Sequence, residues 1–187
     1  MADVSTSVYE RRIANEWRDA RQLELCNTDV ICFRPPRTEG YDTVLGVTLW
    51  KTAGLVAGPD GLQMVAEHEA ELRFPRFFPA VPIEAYLRRP VFHPNVDPVN
   101  GFVCLWDRFS PGDTVVAAVC HLQRIVAWQM LNLWADHVMQ TEAAEWYGGG
   151  RAGYRLPLEY RELELPDGLG GLEVFCANPH TARRRIV

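Results

Sequence analysis

Residues 41–73 read YDTVLGVTLWKTAGLVAGPDGLQMVAEHEAELR, and the patterning of this stretch decides the fold class. Tyr41 to Trp50 is rich in β-branched and aromatic residues, the composition of a strand. Alternation puts Leu45, Val47 and Leu49 on one face and Val44, Gly46 and Thr48 on the other. Gly58-Pro59-Asp60-Gly61 is a turn signal. From Leu62 to Arg73 the chain alternates again, with Leu62, Met64, Ala66, His68, Ala70 and Leu72 opposite Gln63, Val65, Glu67, Glu69, Glu71 and Arg73. A short apolar run, Val30 to Phe33, comes before and stops at Pro35-Pro36, and Ile83 to Leu87 follows. Four sequential strands with mostly short links predict an antiparallel meander.

Helices are expected on either side of it. Ser7 followed by Glu10 has capping-box spacing, and Ile13, Trp17, Ala20 and Leu23 recur at helical spacing up to Cys26-Asn27. A second helix is expected from an N-cap at Asp113 to about Leu131, with Trp128 and Trp134 covering the sheet. A third, Glu142 to Tyr147, should stop at Gly148-Gly149-Gly150. The predicted class is α+β: an N-terminal helix, a four-stranded meander, a long irregular loop, then helices. The expected division is a main body over 1–147 and, over 148–187, a Gly-rich hinge with an extension. Leu156–Leu165 and Leu172–Cys176 would form a hairpin in that extension around Pro166-Asp167-Gly168.

Composition narrows the function. The chain has 187 residues, 48 % apolar and 23 % charged, with a net charge of −5. That is ordinary for one globular domain with an appendage and is a poor prior for nucleic-acid binding, which needs a basic footprint. No apolar run approaches the ~20 residues that span a bilayer, so no membrane partner is expected. Met1-Ala2-Asp3 begins no basic then apolar segment, so no signal peptide is expected. Five cysteines at irregular spacing, with no C-x-x-C, argue for free thiols in a reducing cytoplasm and against a structural metal; no cofactor is expected. A single lysine, Lys51, stands against 18 arginines. Codon bias in a GC-rich bacterial genome would give that. So would an enzyme that carries an activated acyl group and avoids amines of its own, since a guanidinium is a poor nucleophile.

The loop Pro90 to Pro111 holds His93-Pro94-Asn95 and, nine residues after Asn95, Cys104. A thiol with an amide donor nearby suggests acyl transfer through a thioester. Taken singly, Cys104 between Val103 and Leu105 also looks like a core residue, and Asn95 after a proline like a turn residue.

Together these residues resemble the ubiquitin-conjugating enzyme family. Phe74-Pro75, Phe78-Pro79, Pro82 and Phe92-His93-Pro94-Asn95 are similar, in order, to the family's Phe-Pro, Tyr-Pro, Pro-Pro and Tyr-His-Pro-Asn series. Gly101-Phe102-Val103-Cys104-Leu105 resembles its Gly-x-Ile-Cys-Leu, Ser110-Pro111 its Ser-Pro, and Glu142-Ala143-Ala144-Glu145-Trp146-Tyr147 its Glu-Ala-Ala-x-Leu-Tyr helix. The resemblance covers roughly residues 7 to 147. It implies that Cys104 accepts the C-terminus of a ubiquitin-like protein from an activating enzyme, which would dock on the Arg-rich first helix. It further implies that Asn95 supports the oxyanion or braces the loop, and that His93 and Pro94 order that loop. Asp136 or His137 would stand beside the incoming amine of a protein target. Ala80 replaces the bulky residue with which family members meet RING-type ligases, so a strong ligase surface is not expected there. The composition and loops resemble bacterial members from operons associated with antiphage defence. Two other classes stay open: an inert variant that only binds the modifier, against which Cys104 argues, and a cysteine hydrolase pairing Cys104 with His93 or His121.

Overall fold

The structure is a computed structural model that describes residues 7–150 and 156–166. Helix α1 (Val8–Cys26) starts on a complete capping box: Ser7 Oγ accepts from Glu10 N while Glu10 returns a bond to Ser7 N. It buries Ala20 and Leu23 against the sheet and the later helix over Val115–Val126, about 2 kcal/mol for the leucine alone. Strands β1 (Ile31–Phe33) and β2 (Arg37–Glu39) both pair with β3 (Asp42–Leu49), because Pro35-Pro36 interrupts the ladder between them. Strand β3 is antiparallel to β6 (His68–Phe74), in register from Thr43 opposite Phe74 to Leu49 opposite His68. The sheet continues through β7 (Glu84–Leu87) to the two-residue β8 (Phe102–Val103).

The architecture is the expected α+β arrangement, but its strand list is longer: β2 and β8 were not expected, and the middle of the meander is divided differently. The alternating stretch Leu62 to Arg73 is not one strand. It divides into β5 (Gly61–Val65), paired with the unpredicted β4 (Gly54–Gly58) in a separate hairpin, and β6 in the main sheet. The cause lies upstream. Lys51 takes a left-handed backbone (φ 52), and Thr52 O meets His68 Nε2 at 3.0 Å, so the chain leaves the sheet plane there. Gly54 lets the hairpin cross His68: a Cβ at that position would lie 2.7 Å from the imidazole. Met64 and Ala66 are therefore exposed, while His68, Ala70 and Leu72 stay inside.

The remaining face of the sheet holds ion pairs between Arg37 and Glu71, Arg73 and Glu39, and Arg88 and Glu69. Val44, Gly46 and Thr48, on the face opposite Leu45, Val47 and Leu49, are also covered, Gly46 by the Arg34 side chain at 3.1 Å. The proline-rich turn after β6 is anchored by Phe74 against Phe78, edge to face at 5.1 Å.

Helix α2 (Val115–Val126) is capped by Thr114, not Asp113, whose carboxylate accepts from Ser110 N instead. It ends five residues before the expected Leu131. Trp128 adopts φ 58, a conformation usually left to glycine, and is held there by burial among His93, Trp146 and Tyr147. Trp134 does not cover the sheet; it is 75 % exposed. Helix α3 (Thr141–Gly148) follows as expected. Buried Glu16 ties α1 to the start of α2, accepting from Val115 N at 2.6 Å and from Arg12 Nε at 2.7 Å.

Residues 156–166 lie against the body. Tyr160 pairs with Thr52, Leu158 N donates to Ala127 O, and Asn27 exchanges two hydrogen bonds with Glu164. Leu158 and Leu163 join the core. The second arm of the expected hairpin, Leu172–Cys176, lies outside the described residues.

Candidate active site

The loop after β7 folds back on itself and sets Asn95 opposite Cys104. Asp97 Oδ1 accepts from Val99 N and Asn100 N, closing a turn. Gly101 (φ 76) completes it against β7, with Leu87 N donating to Gly101 O at 2.8 Å; a Cβ there would fall 2.0 Å from Leu87 O. Past the turn Asp97 N bonds Phe102 O, Val96 bridges Val103, and Cys104 N donates to Asn95 O at 2.9 Å. The nine-residue separation is thus a short antiparallel pairing.

The segment between α2 and α3 closes over this pair. Asn95 is 2 % exposed. Its Nδ2 donates to Asn132 O at 2.6 Å and His137 O at 3.0 Å, and its Oδ1 accepts from Asn132 N at 2.8 Å. Both side-chain protons are committed to this brace; donation to an oxyanion would require releasing one. Pro94 O accepts from Met139 N and Gln140 N, and His93 N donates to Gln140 Oε1. His93 is fully buried, with Nδ1 accepting from Asn95 N at 3.1 Å. Burial drives its imidazole down to about 3, so it is neutral and orders the loop.

What the brace holds in place is His137. Its Nδ1 lies 3.0 Å from Cys104 Sγ, and its Nε2 lies 3.8 Å from Asp136 Oδ2. Asp136 is 81 % exposed and His137 19 %. Burial pushes the half-buried Cys104 thiol up; Asp107 and Asp136 add to this, and the Trp106 backbone acts the other way. The Cys104 sulfur thus lies within hydrogen-bond reach of a ring nitrogen, with a carboxylate on the far side of the ring.

The three expected residues Cys104, His137 and Asp136 come together. His93 and His121 do not reach the sulfur: His121 Nδ1 lies 3.1 Å from Leu105 O. Composition and spacing gave no sign of Asn132, which answers Asn95 and reaches Asp107 Oδ1 at 2.5 Å. It falls where helical periodicity was expected to have just ended. Among the described residues no group of three or more His, Cys, Asp or Glu could hold a metal ion, and no helix is long and apolar enough to cross a membrane.

Buried histidines make the fold acid-sensitive. A histidine held neutral inside has a folded pKa below its unfolded 6.5, so its contribution is complete above pH 6.5 and is lost as pH falls toward the folded value. His93 does this most strongly, and burial moves His68 and His121 the same way. Glu16 acts oppositely: burial raises its carboxyl, so its contribution is largest in acid. Three histidines pull one way and one carboxyl the other, so the net direction expected between pH 6.5 and 5 is that of the histidines. Urea unfolding should show stability falling there by about 1.4 kcal/mol per pH unit for His93 alone. A midpoint flat across that range, or one unaffected by His93→Gln, would contradict this account.

No family model and no curated protein matches the sequence. Solved structures do match the fold. A Trypanosoma cruzi protein assigned as a ubiquitin conjugating enzyme aligns with TM-score 0.54 and 17 % identity over 81 % of this chain and 95 % of its own. A Plasmodium yoelii protein with the same assignment gives 0.52 and 17 % over 76 % and 86 %. Ubc12 of S. cerevisiae gives 0.51 and 18 % over 87 % and 90 %. At these identities the likeness is one of fold: the chain has the ubiquitin-conjugating fold.

Proposed function

We propose that this chain is a conjugating enzyme for a ubiquitin-like protein, in which Cys104 receives the modifier's C-terminus from an activating enzyme and passes it to an amine of a protein target. The observation that carries this reading is the 3.0 Å contact between Cys104 Sγ and His137 Nδ1, on a loop braced by a buried Asn95. Attack on an incoming thioester requires the thiol proton to leave, and His137 is in place to take it. Thiol-for-thiol exchange is nearly balanced in energy, so no strongly acidified cysteine is needed. In the second half of the cycle His137, with Asp136 behind it, takes a proton from the acceptor.

The activating enzyme would dock on α1, where Arg11 and Arg18 are exposed, Arg18 lying 3.5 Å from Asp19, while Arg12 and Arg21 pair with Glu16 and Glu24. Ala80 is exposed and small, which argues against a strong RING-ligase surface, because large anchors dominate interfaces. The setting that fits an arginine-rich, lysine-poor chain is a bacterial operon encoding an activating enzyme, a modifier and a peptidase, acting in the cytoplasm in antiphage defence. A cysteine hydrolase is the second reading, favoured by the same thiol–imidazole contact.

Incubation with ATP, the neighbouring activating enzyme and the modifier is expected to attach one modifier through a bond that reducing thiols cleave. No such adduct, together with cleavage of a preformed conjugate in the absence of the activating enzyme, would overturn conjugation in favour of hydrolysis.

A further inference from the structure

The acceptor need not be an amine, and the site is better built for another. We infer that the acyl group on Cys104 is passed to hydroxyl groups, the side-chain hydroxyls of a protein acceptor, with His137 as general base. This inference rests on the thioester reading above and puts a hydroxyl in place of the amine as the preferred acceptor.

The argument starts from what each nucleophile asks of the site. A lysine reaches the enzyme mostly as an ammonium, with a reference pKa of about 10.4. Its difficulty is losing a proton before attack; once neutral, it needs no base in contact with the reacting centre. A hydroxyl arrives neutral and is a weak nucleophile. It attacks only if its proton is withdrawn as the new C–O bond forms, and an imidazole positioned at the reacting centre does that best near neutral pH. His137 is so positioned. Its Nδ1 contacts the sulfur at 3.0 Å in the free enzyme, so acylation of that sulfur leaves the nitrogen without the thiol proton and next to the acyl carbon's position. The ring is 19 % exposed, reachable by an acceptor yet largely shielded, and Asn95 fixes its backbone by donating to His137 O at 3.0 Å.

The leaving group makes the same demand. Burial and the carboxylates of Asp107 and Asp136 disfavour a free thiolate at Cys104, so expulsion of the sulfur is helped by a returning proton. The step then closes on itself. The hydroxyl oxygen bonds the acyl carbon as its proton moves to His137 Nδ1. The imidazolium forms with Asp136 Oδ2 3.8 Å from Nε2, and the C–S bond breaks as Nδ1 returns the proton to Sγ. The products are an ester and the free Cys104 thiol, with no other reactant consumed.

The test uses a fluorescent peptide ending in Gly-Gly, supplied as its mercaptoethanesulfonate thioester, which loads the full-length chain by thiol exchange without an activating enzyme. The loaded enzyme is freed of excess thioester and divided between N-acetylserine amide and N-acetyllysine amide at pH 7.5. Products are separated by mass and by hydroxylamine, which cleaves esters and spares amides. Wild type is expected to give the serine ester faster than the lysine amide. His137→Gln should lower the ester rate by ~10²-fold or more and cut the ester-to-amide ratio at least ~10-fold. Asp136→Asn, an exposed change, should lower ester formation by less and guards against a folding explanation.

Transfer to lysine with no ester, or an ester-to-amide ratio unmoved by His137→Gln, overturns the hydroxyl inference and leaves the thioester reading standing. Release of free peptide acid in preference to either adduct overturns it in favour of water as the acceptor. Failure of Cys104 to load at all overturns both.

Discussion

Cys104→Ser is expected to abolish the reductant-sensitive adduct, while Cys120→Ser, Cys26→Ser and Cys32→Ser load as wild type does. The four differ in what surrounds the sulfur. Cys120 is buried within α2, beyond the reach of a bulky acyl donor. Cys32 is half-buried on β1, and burial together with Glu24 pushes its thiol up. Cys26 is exposed at the end of α1. Among the described cysteines only Cys104 combines partial access with an imidazole nitrogen at 3.0 Å. A thiol at its reference pKa is a few per cent thiolate at neutral pH, and burial leaves Cys104 with less, so attack depends on handing the proton to His137. A serine hydroxyl in its place can use the same base but is the weaker nucleophile. The variant should therefore form, slowly, a bond that resists reducing thiols and yields to hydroxylamine. The measurement is a non-reducing gel of the loading reaction for each variant, with and without added thiol. A thiol-cleavable adduct that survives in Cys104→Ser would place the site elsewhere.

The parts of this structure that could be read in the sequence are those fixed by local chemistry. Ser7 and Glu10 announce a helix start because two side chains three residues apart satisfy each other's backbone donors, and both bonds form. Asn95 and Cys104 meet because a turn flanked by Asp97 and Gly101 has one economical geometry. The errors cluster where tertiary packing overrides local preference. Lys51 and Trp128 both take left-handed backbones that propensity assigns to glycine. The first splits an apparently continuous strand, and the second ends α2 early. Each is held by distant residues: Thr52 by His68, Trp128 by His93 and α3. The site follows the same division. Its thiol, amide and imidazole were legible as residue types. That His137 contacts the sulfur depends on Asn132, 37 residues from Asn95, and no spacing in the sequence signals that pair.

Asn95→Ala should lower stability and transfer together, and the coupling of the two distinguishes a brace from an oxyanion donor. The alanine leaves Asn132 O, His137 O and Asn132 N without their partner in a place where Asn95 is 2 % exposed. Each buried group stranded in this way costs about 1–3 kcal/mol. The 132–138 segment is partly solvent-facing and can recover some bonds from water by moving away, so a net loss of roughly 2–4 kcal/mol is expected. For a chain of this size that lowers Tm by about 4–16 °C. The movement that relieves the cost also carries His137 off the sulfur, so discharge from Cys104 should fall about as far as in His137→Gln. The two substitutions then remove one device, and the double variant should be little slower than either alone. An oxyanion donor predicts otherwise: discharge slower by about 10²–10³-fold at unchanged Tm, with the two losses multiplying in the double variant. Asn95→Asp sharpens the comparison, because it keeps an acceptor for Asn132 N but sets a carboxylate oxygen against two carbonyls. It should be less stable than Asn95→Ala under the brace and no less stable under the donor. Scanning calorimetry and single-turnover discharge of the four variants decide between them, and multiplicative losses at constant Tm would show that Asn95 acts on the reacting acyl group itself.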